Sequence, residues 1–531
     1  MPNATRVGLL LWAFATAAAC GGGSGDAPDA ANGPDAGSGA GAVTVDVETD
    51  RGPVHGAAEG DLVIFRGVPF AAPPTGARRF APPALADAWT APLAATAFGP
   101  ACPQGQANLT NQSEDCLRLN VWAHAAVPAP RPVIVWIHGG GYVEGDSSEL
   151  AYDGASLATH ADVVVVSINY RLGVLGFLAT PQLVAPDGGT GNWGLRDQIA
   201  ALGWVQRNAA AFGGDPTHVM IAGESAGGIS ICTLLAAPPA QGLYAAAAME
   251  SGTCRAVLNP HTTNGTWPSA DTVGVDTAVA LGCTSGDIAA CLRAQPAAAI
   301  LAAQGGLPAS IDLGFPVGST IPVVDGVTLD QRPFAAIGAG RGAVPLIIGS
   351  NRDDASGFTI PLGITNAAGQ FDKYLGALGL GAKQAALDAL YPVATLTELG
   401  AATAFATDVA FACPSAQVVA ARTAPTYLYE LDRGFTTGVL AQYGATHGLE
   451  VAYLFDTLAS WGTPATADDA ALTATMQAAW GALARGAAPT GWTAATGTSP
   501  SYLSLAAAST VQTGWRGDRC AQLATLGLLA E

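Results

Sequence analysis

The sequence predicts an α/β fold in which a large, mostly parallel central sheet is flanked by helices and begins with antiparallel strands. Short apolar runs alternate with helix-like stretches between residues 133 and 455, an alternation typical of parallel sheets with helical crossovers. The segment 43–70 is predicted to form antiparallel strands at the sheet edge. The chain of 531 residues is 50% hydrophobic and 12% charged, which is enough apolar surface for one large domain with a substantial core.

The N-terminus has the features of a secretory signal. Arg6 precedes an apolar run from Val7 to Ala19, which is shorter than a membrane-spanning helix needs. A positive residue, a short apolar region and small residues such as those at 17–19 together are typical of a cleaved export signal. We therefore expect the protein to be exported, either to the cell envelope or outside the cell.

Cys20 follows the apolar run directly. This is where a bacterial lipoprotein would carry its lipid, although Ala17 stands where such signals usually have leucine. The alternative for Cys20 is an incidental residue in an ordinary signal. The next residues are rich in Gly, Ala, Asp and Pro without apolar periodicity, so a flexible tether is predicted. The expected organisation is a signal peptide (1–19), a tether (20–42) and one folded domain (43–531).

A run of glycines follows the first long apolar strand candidate, Val133–Ile137, in the stretch His138-Gly139-Gly140-Gly141-Tyr142. Glycine lets the backbone approach a bound oxygen closely, and loops of this type supply a backbone N–H to the oxyanion in lipases and esterases. The alternatives are a flexible loop or a phosphate cradle. A cradle is disfavoured because no Gly-Lys-Ser/Thr follows and the net charge is −19.

Ser225 is the central residue of a Gly-x-Ser-x-Gly motif that spans residues 223–227. An apolar strand candidate (217–222) precedes the motif and a helix-forming stretch (228–235) follows it, which is the strand–turn–helix context of a nucleophile elbow. In that context the N–H of Ala226 is expected to donate to the oxyanion. The motif alone is also compatible with a plain tight turn in a chain with 67 glycines, so its meaning depends on partners for the serine.

A catalytic serine needs a histidine base oriented by a carboxylate, and α/β-hydrolases place these residues in the order serine, acid, histidine. Of the 7 histidines, His447 is the one that this order permits, and it lies in a loop-like stretch. The acid is expected after the apolar run 344–349, since catalytic groups in open α/β sheets lie at the carboxyl ends of strands. Asp353 and Asp354 both follow that run, and the local sequence leaves the choice between them open.

Further motifs occur along most of the chain. In chain order they are Phe65-Arg66-Gly67-Val68-Pro69-Phe70-Ala71, Ser113-Glu114-Asp115-Cys116-Leu117-Arg118-Leu119-Asn120, Asn169-Tyr170-Arg171-Leu172-Gly173, Gly191-Asn192-Trp193-Gly194 and Phe212-Gly213-Gly214-Asp215-Pro216. Together with the glycine run and the elbow, they resemble the type-B carboxylesterase/lipase family, which includes the cholinesterases. The resemblance covers nearly the whole chain from about residue 43. It implies an α/β-hydrolase fold and hydrolysis of carboxylic esters with no cofactor.

The resemblance also implies roles for individual residues. Ser225 would be the nucleophile, His447 the base and Asp354 the acid, with Asp353 in reserve. The family usually has Glu at the position of Asp354, so this chain differs from the family there by a side chain that is one methylene shorter. The implied oxyanion donors are Gly140, Gly141 and Ala226. The implied supporting residues around the histidine are Glu224, Ser251 and Glu450.

The chain has 9 cysteines. The resemblance implies three disulfides, as expected in an oxidising compartment; they would join Cys102 to Cys116, Cys283 to Cys291 and Cys413 to Cys520. Cys232 and Cys254 are left over, and Cys232 is expected to be a buried free cysteine in the helix after the elbow. No Cys-x-x-Cys pair or histidine cluster in the sequence points to a metal site.

The net charge of the chain and the composition of one loop disfavour several classes of partner and substrate. The net charge of −19 disfavours nucleic acid or an anionic membrane surface as a partner. Residues 103–115 contain no aromatic residue, so the cation–π platform of the matching cholinesterase loop is missing and a choline ester is disfavoured. The sequence therefore predicts a secreted or lipid-tethered serine carboxylesterase that acts on a small-molecule ester. The alternatives are a lipase for longer acyl chains and a non-catalytic, cholinesterase-like binding protein; the oligomeric state is left open.

Overall fold

The computed structural model describes residues 44–106, 109–263, 268–305, 309–310, 317–435 and 438–529. The predicted signal peptide (1–19), Cys20 and the tether (20–42) lie outside these residues. The strands are β1 (Asp46–Glu48), β2 (Pro53–His55), β3 (Ala57–Glu59), β4 (Leu62–Pro69), β5 (Leu93–Ala94), β6 (Arg118–His124), β7 (Arg131–Ile137), β8 (Val164–Ile168), β9 (Gly214–Glu224), β10 (Ala246–Glu250), β11 (Ala309–Ser310), β12 (Val317–Gly318), β13 (Leu346–Asn351), β14 (Thr426–Leu431), β15 (Tyr502–Leu505) and β16 (Thr510–Gln512).

The helices follow the same chain order. They are α1 (Ala155–Ala161), α2 (Gly173–Phe177), α3 (Trp193–Asn208), α4 (Ala226–Ala236), α5 (Ala270–Ala280), α6 (Ile288–Ala294), α7 (Ala297–Gln304), α8 (Pro333–Gly338), α9 (Ser356–Thr359), α10 (Gln370–Ala377), α11 (Gln384–Leu390), α12 (Val393–Leu396), α13 (Glu398–Thr407), α14 (Cys413–Ala421), α15 (Leu449–Leu454), α16 (Ala467–Ala484) and α17 (Arg519–Thr525). A π-helical turn, Asp408–Ala412, joins α13 to α14.

A large mixed sheet runs through the domain. Of the described strands, 11 form it, in the order β16-β15-β14-β13-β10-β9-β7-β8-β6-β4-β3. Neighbouring strands from β8 to β15 are parallel. The strands at the two edges, β6, β4 and β3 on one side and β16 on the other, pair antiparallel. The predicted large, mostly parallel sheet with antiparallel N-terminal strands is therefore confirmed.

The first two strands do not join the sheet edge as predicted. β1 and β2 pair with each other and with β5 in a separate three-stranded sheet. Gly56 lies between β2 and β3, where a Cβ would come within 2.7 Å of the Ile64 carbonyl oxygen. The absence of a side chain at Gly56 lets the chain pass tightly against β4 and change from one sheet to the other.

The central strands are buried on both faces. Val133 and Val135 of β7 pack into one core with α3 and α4, and Ile134 and Trp136 pack into a second core with α1 and α16. Every residue of β8, β10 and β13 is buried, which explains why these strands are mainly apolar. On α16, Leu472, Met476, Trp480 and Leu483 are buried in the second core.

The parallel strands bring their carboxyl ends to one side of the sheet. β7 ends at the glycine run, β9 at Ser225, β10 at Ser251 and β13 at the Asp353-Asp354 pair. Loops at the carboxyl ends of neighbouring parallel strands lie beside one another, and this is where open α/β sheets bind ligands. The fold alone therefore gathers the candidate residues on one face.

In the described part of the chain, the stretch Glu398–Ala421 is long and apolar enough to cross a membrane by length and composition. It comprises α13, the π turn and α14, and its most apolar window is 78% buried within the fold. A helix covered in this way is a core helix of the domain. Its π turn carries Phe411, which borders the candidate site.

The described residues contain four disulfides. The three implied by the family resemblance are present, namely Cys102–Cys116, Cys283–Cys291 and Cys413–Cys520. The fourth joins Cys232 to Cys254, so the expectation of a free Cys232 is wrong. Cys232 lies in α4, Cys254 lies just beyond β10, and α4 packs on β10, which brings their Cα atoms to 5.5 Å. The pairing depends on this tertiary contact, and no spacing rule indicates it.

Removing this fourth bridge by replacing both Cys232 and Cys254 with alanine should lower the free energy of unfolding by about 3 kcal/mol. The bridge spans 22 residues, and a disulfide stabilises mainly by restricting the unfolded chain. The control is the double replacement of Cys283 and Cys291, whose bridge spans 8 residues and should contribute less. Denaturant unfolding followed by tryptophan fluorescence measures both. An equal or larger loss in the control would contradict the loop-length argument.

Candidate active site

Ser225 lies at the sharp turn between β9 and α4. Its backbone has φ 57° and ψ −120°, a conformation that non-glycine residues rarely adopt and that concentrates at functional sites. The Ser225 N–H donates to the Glu250 carbonyl oxygen at the end of β10, with an N···O distance of 3.0 Å. Ser225 is only partly buried, so its hydroxyl is presented at the start of a helix and remains accessible.

Glycines flank the serine for steric reasons. A Cβ at Gly223 would lie 2.7 Å from the Ile137 carbonyl oxygen, and a Cβ at Gly227 would lie 2.0 Å from the same atom. A Cβ at Gly228 would lie 2.6 Å from the Glu250 carbonyl oxygen. The elbow is thus packed against the ends of β7 and β10 with no room for side chains, which is the physical basis of the Gly-x-Ser-x-Gly pattern here.

His447 and Asp354 form a buried pair. His447 Nδ1 lies 2.6 Å from Asp354 Oδ1, and the His447 backbone N–H donates to the Asp354 carbonyl oxygen at 3.1 Å. Asp354 Oδ2 accepts hydrogen bonds from Ser251 Oγ at 2.8 Å and from the Asn351 N–H at 2.9 Å. These contacts hold both the ring and the carboxylate in one orientation.

Asp353, the reserve candidate for the acid, faces another way. Its carboxylate lies 3.0 Å from Arg352 Nη2 and accepts from the Ala445 N–H at 3.1 Å. Its side chain is 33% exposed, whereas the side chain of Asp354 is 0% exposed. The geometry therefore brings Asp354, and not Asp353, to His447.

The other edge of the His447 ring faces the residue before the serine. His447 Nε2 lies 3.1 Å from Glu224 Oε1. The ring therefore lies at the elbow, beside the residue that precedes Ser225 in the chain. In ligand-free enzymes the serine–histidine contact is often long and tightens only with substrate.

Three carboxyl groups surround this single histidine. Burial raises the pKa of Glu224 to about 8 and that of Glu450 to about 7, because a buried carboxylate loses its hydration. Burial alone would lower the pKa of His447, but Glu224, Asp354 and Glu450 outweigh it and raise that pKa to about 9. The surroundings therefore favour the positive charge that the ring acquires when it takes a proton.

Ser251 and Glu450 extend this network, as the resemblance implies. Ser251 Oγ lies 2.6 Å from Glu450 Oε1 in addition to its contact with Asp354, and Asn351 Nδ2 donates to the other oxygen of Glu450. A hydroxyl has one proton, so it cannot donate to two ionised carboxylates at once. The raised pKa of Glu450 is consistent with a protonated Glu450 that donates to Ser251.

The glycine run lies directly against the serine. A Cβ at Gly139 would come within 3.1 Å of Ser225 Cβ. Gly140 and Gly141 have φ of 100° and 61°, which glycine adopts without strain. Within the described residues, neither the Gly140 N–H nor the Gly141 N–H donates to a backbone carbonyl oxygen. Ala226 is the first residue of α4, so its N–H has no partner inside the helix and lies at the positive end of the helix dipole.

Two aromatic rings next to His447 were not foreseen from the sequence. The ring centroids of Phe358 and Phe411 lie 5.1 Å and 5.0 Å from that of the imidazole. Phe358 lies one helical turn beyond Asp354, a spacing that could have indicated it. Phe411 lies in the π turn, which no sequence pattern indicates. Together they give the histidine an apolar, aromatic border.

Glu250 is a further buried acid that the sequence reasoning missed. Its Oε1 accepts from the Trp480 indole N–H at 2.8 Å, and its Oε2 has no hydrogen-bond partner among the described residues. Burial raises the pKa of Glu250 well above its usual range, because the carboxylate loses its hydration. Among the residues that the structure describes, no group of three or more His, Cys, Asp or Glu side chains is arranged to hold a metal ion.

Comparison with known proteins identifies the family of the chain. The model of the carboxylesterase family matches residues 43–378 and 389–523. A para-nitrobenzyl esterase of Bacillus subtilis (strain 168) is 35% identical over 451 residues, which are 82% of this chain and 88% of that protein. A fumonisin B1 esterase of Sphingopyxis macrogoltabida is 34% identical over 460 residues, 81% of this chain and 80% of that protein.

Solved structures give the same result. A thermophilic para-nitrobenzyl esterase superposes with a TM-score of 0.78 at 32% identity, covering 90% of this chain and 99% of its own. A carboxylesterase from Geobacillus stearothermophilus superposes with a TM-score of 0.76 at 31% identity, again covering 90% and 99%. By sequence and by overall fold, the chain belongs to the carboxylesterase family and is a carboxylic ester hydrolase with the α/β-hydrolase fold.

Proposed function

We propose that the protein hydrolyses esters through an acyl-enzyme on Ser225, with His447 as the base and Asp354 as the acid that orients it. The observation that carries this proposal is the position of His447. Its Nδ1 is bonded to Asp354 Oδ1 at 2.6 Å, and its Nε2 is turned toward the elbow at Glu224 Oε1. A carboxylate at Nδ1 selects the tautomer whose Nε2 can accept a proton.

In the acylation step, Ser225 Oγ attacks the ester carbonyl carbon and its proton passes to His447 Nε2. The carbonyl electrons move onto oxygen and form a tetrahedral intermediate. When this intermediate collapses, the ester C–O bond breaks and the alcohol leaves with the proton that His447 returns. Asp354 and the other nearby carboxyl groups stabilise the imidazolium, in keeping with the raised pKa of His447.

The oxyanion of that intermediate would be bound by the N–H groups of Gly140, Gly141 and Ala226. This assignment is supported by the packing of Gly139 against Ser225 and by the position of Ala226 at the start of α4. Backbone donors that are fixed before the reaction stabilise the developing charge without reorganisation.

Deacylation would use the same groups with water in place of the alcohol. The water oxygen attacks the acyl carbon while His447 Nε2 takes a proton from that water. The same proton then passes to Ser225 Oγ as the carboxylic acid is released. No group other than those already named has to enter or leave the site. The products are one carboxylic acid and one alcohol, and the enzyme is restored.

We infer that the substrate is a small-molecule ester with an apolar group next to the reacting carbonyl. The rings of Phe358 and Phe411 border His447 with their centroids 6.4 Å apart, so one side of the reaction centre is aromatic. Apolar and aromatic groups gain from burial against such a surface. The para-nitrobenzyl esterase relatives make aromatic esters a reasonable first set of substrates.

We propose that the protein acts outside the cytoplasm, held to the cell envelope by a lipid on Cys20 or released after cleavage of residues 1–19. The four disulfides of the described residues support an oxidising compartment. A Gly-rich segment of this composition would let the folded domain reach esters at a distance from the membrane.

Replacing Ser225 with alanine should lower the turnover of p-nitrophenyl butyrate by at least about 10⁴-fold, because the acyl-enzyme cannot form without the hydroxyl. The release of p-nitrophenolate by the parent and by the variant measures this, with circular dichroism to show that the variant is folded. A variant that keeps a tenth of the parental turnover would rule out Ser225 as the nucleophile.

Replacing Asp354 with asparagine should lower kcat by about 10³–10⁴-fold, because the amide no longer stabilises the imidazolium and can hold the wrong tautomer. The matched control is Asp353→Asn, which removes the neighbouring carboxylate at a place that faces Arg352. We expect the control to stay within about tenfold of the parent. If the control loses more activity than Asp354→Asn, the orienting acid is Asp353.

The acidic limb of the kcat/KM profile should lie above the ordinary histidine pKa of about 6.5, because neighbouring carboxylates raise the pKa of His447 to about 9. Glu224→Gln removes one of those charges, so the imidazolium is less favoured and the limb should move to lower pH. Glu59→Gln, at an exposed pair with Arg66, should leave the limb in place. An unchanged limb in Glu224→Gln, or a shift to higher pH, would refute the assigned role of Glu224.

A further inference from the structure

The side chain of Gln104 connects the first disulfide loop to the glycine run. Gln104 is 3% exposed. Its Oε1 accepts from the Gly145 N–H at 2.8 Å, and its Nε2 donates to the Gly145 carbonyl oxygen at 3.0 Å. Nε2 also donates to the Cys102 carbonyl oxygen at 3.1 Å. One amide therefore pairs with both backbone groups of Gly145, as a neighbouring strand would, and is itself anchored beside the Cys102–Cys116 bridge.

Gly145 in turn packs against the start of the glycine run. Its φ is 104°, and a Cβ there would lie 2.6 Å from His138 Nδ1 and 2.8 Å from the Gly139 carbonyl oxygen. No side chain could be placed between Gly145 and these atoms. A displacement of Gly145 would therefore also displace His138 and Gly139, which directly precede Gly140.

Glu144, the residue before Gly145, packs against Gly140 in a similar way. The Glu144 N–H donates to the Gly140 carbonyl oxygen at 3.0 Å, and a Cβ at Gly140 would lie 2.0 Å from the Glu144 carbonyl oxygen. Gln106, from the same disulfide loop, donates through Nε2 to Glu144 Oε2 at 3.2 Å. Residues 144–145 are therefore hydrogen-bonded to two glutamines of the disulfide loop on one side. On the other side they pack against the glycine run that carries Gly140.

We propose that Gln104 is a positioning residue for the oxyanion donors, acting through Gly145 on the peptide groups of Gly140 and Gly141. The inference rests on the proposed function, in which those N–H groups bind the oxyanion. Gln104 pairs with main-chain atoms of the loop, so its effect is on where the donors lie. Donor position governs stabilisation of the transition state far more than binding of the uncharged ester.

The test is Gln104→Met, which keeps the length of the side chain and removes all three hydrogen bonds of the side-chain amide. We expect kcat for p-nitrophenyl butyrate to fall about tenfold or more while KM changes by less than about threefold, since loss of one complete donor lowers kcat by about 10²–10³-fold. Affinity for an aryl trifluoromethyl ketone should fall by a similar factor. In that adduct Ser225 Oγ bonds to the ketone carbon, the serine proton passes to His447 and the ketone oxygen becomes an oxyanion.

The matched control is Gln206→Met. Gln206 Nε2 also bridges two backbone carbonyl oxygens, those of Pro216 and Leu243, each at 2.9 Å, but in a different part of the fold. The Gln206→Met variant should lose about as much folding stability as Gln104→Met, and it should keep the parental kcat and the parental affinity for the ketone. If Gln104→Met does not fold, Gln104→Asn keeps the amide one methylene short and should show the same pattern of kcat and KM.

The outcomes separate this inference from the proposed mechanism. If Ser225→Ala is inactive while folded Gln104→Met matches the parent in kcat and ketone affinity, the positioning role is wrong and the mechanism stands. A rise in KM at unchanged kcat also overturns the role, because it reports a change in ester binding. If Ser225→Ala is active, the acyl-enzyme mechanism fails whatever Gln104 does.

Discussion

The site depends on one crowded contact, where the end of β7 meets the elbow. The Ile137 carbonyl oxygen leaves no space for a Cβ at Gly223 or at Gly227, and the chain that follows Ile137 is the glycine run itself. The serine and the loop beside it are therefore positioned by the same atom. Because protein interiors are close-packed and respond to added volume by displacement, neither element can shift without the other. This shared constraint explains why both motifs are rich in glycine.

Electrostatics at the site follow from burying several carboxyl groups around one histidine. Glu224, Glu450 and Asp354 each favour a proton on His447, and burial raises the pKa of Glu224 and of Glu450, so these two compete for protons near neutral pH. The His447 N–H also donates to the Asp354 carbonyl oxygen, so both the backbone and the side chain of Asp354 hold His447 in place.

Much of the fold and of the candidate site could be predicted because local sequence constrains them. Glycines at 223, 227 and 228 are required by backbone clashes, and buried strands leave continuous apolar runs. The choice between Asp353 and Asp354 could not be made from local sequence, because it depends on which carboxylate the β13 loop turns inward. The Cys232–Cys254 pairing and the position of Phe411 were missed for the same reason. Both arise where α4 packs on β10 and where a π turn widens a core helix, and neither leaves a periodic pattern.

The π turn at Asp408–Ala412 has a consequence for how enzymes of this shape can diversify. A π turn arises when one residue is added to an α-helix, and each residue rotates a helix by about 100°. Deleting one residue there would restore a regular helix and carry Phe411 away from the imidazole, with no change in any group that handles protons. The width of a single helical turn thus decides which ring lies beside His447, and a one-residue insertion or deletion in a buried helix would change the lining of the candidate site while Ser225, Asp354 and His447 stay in place.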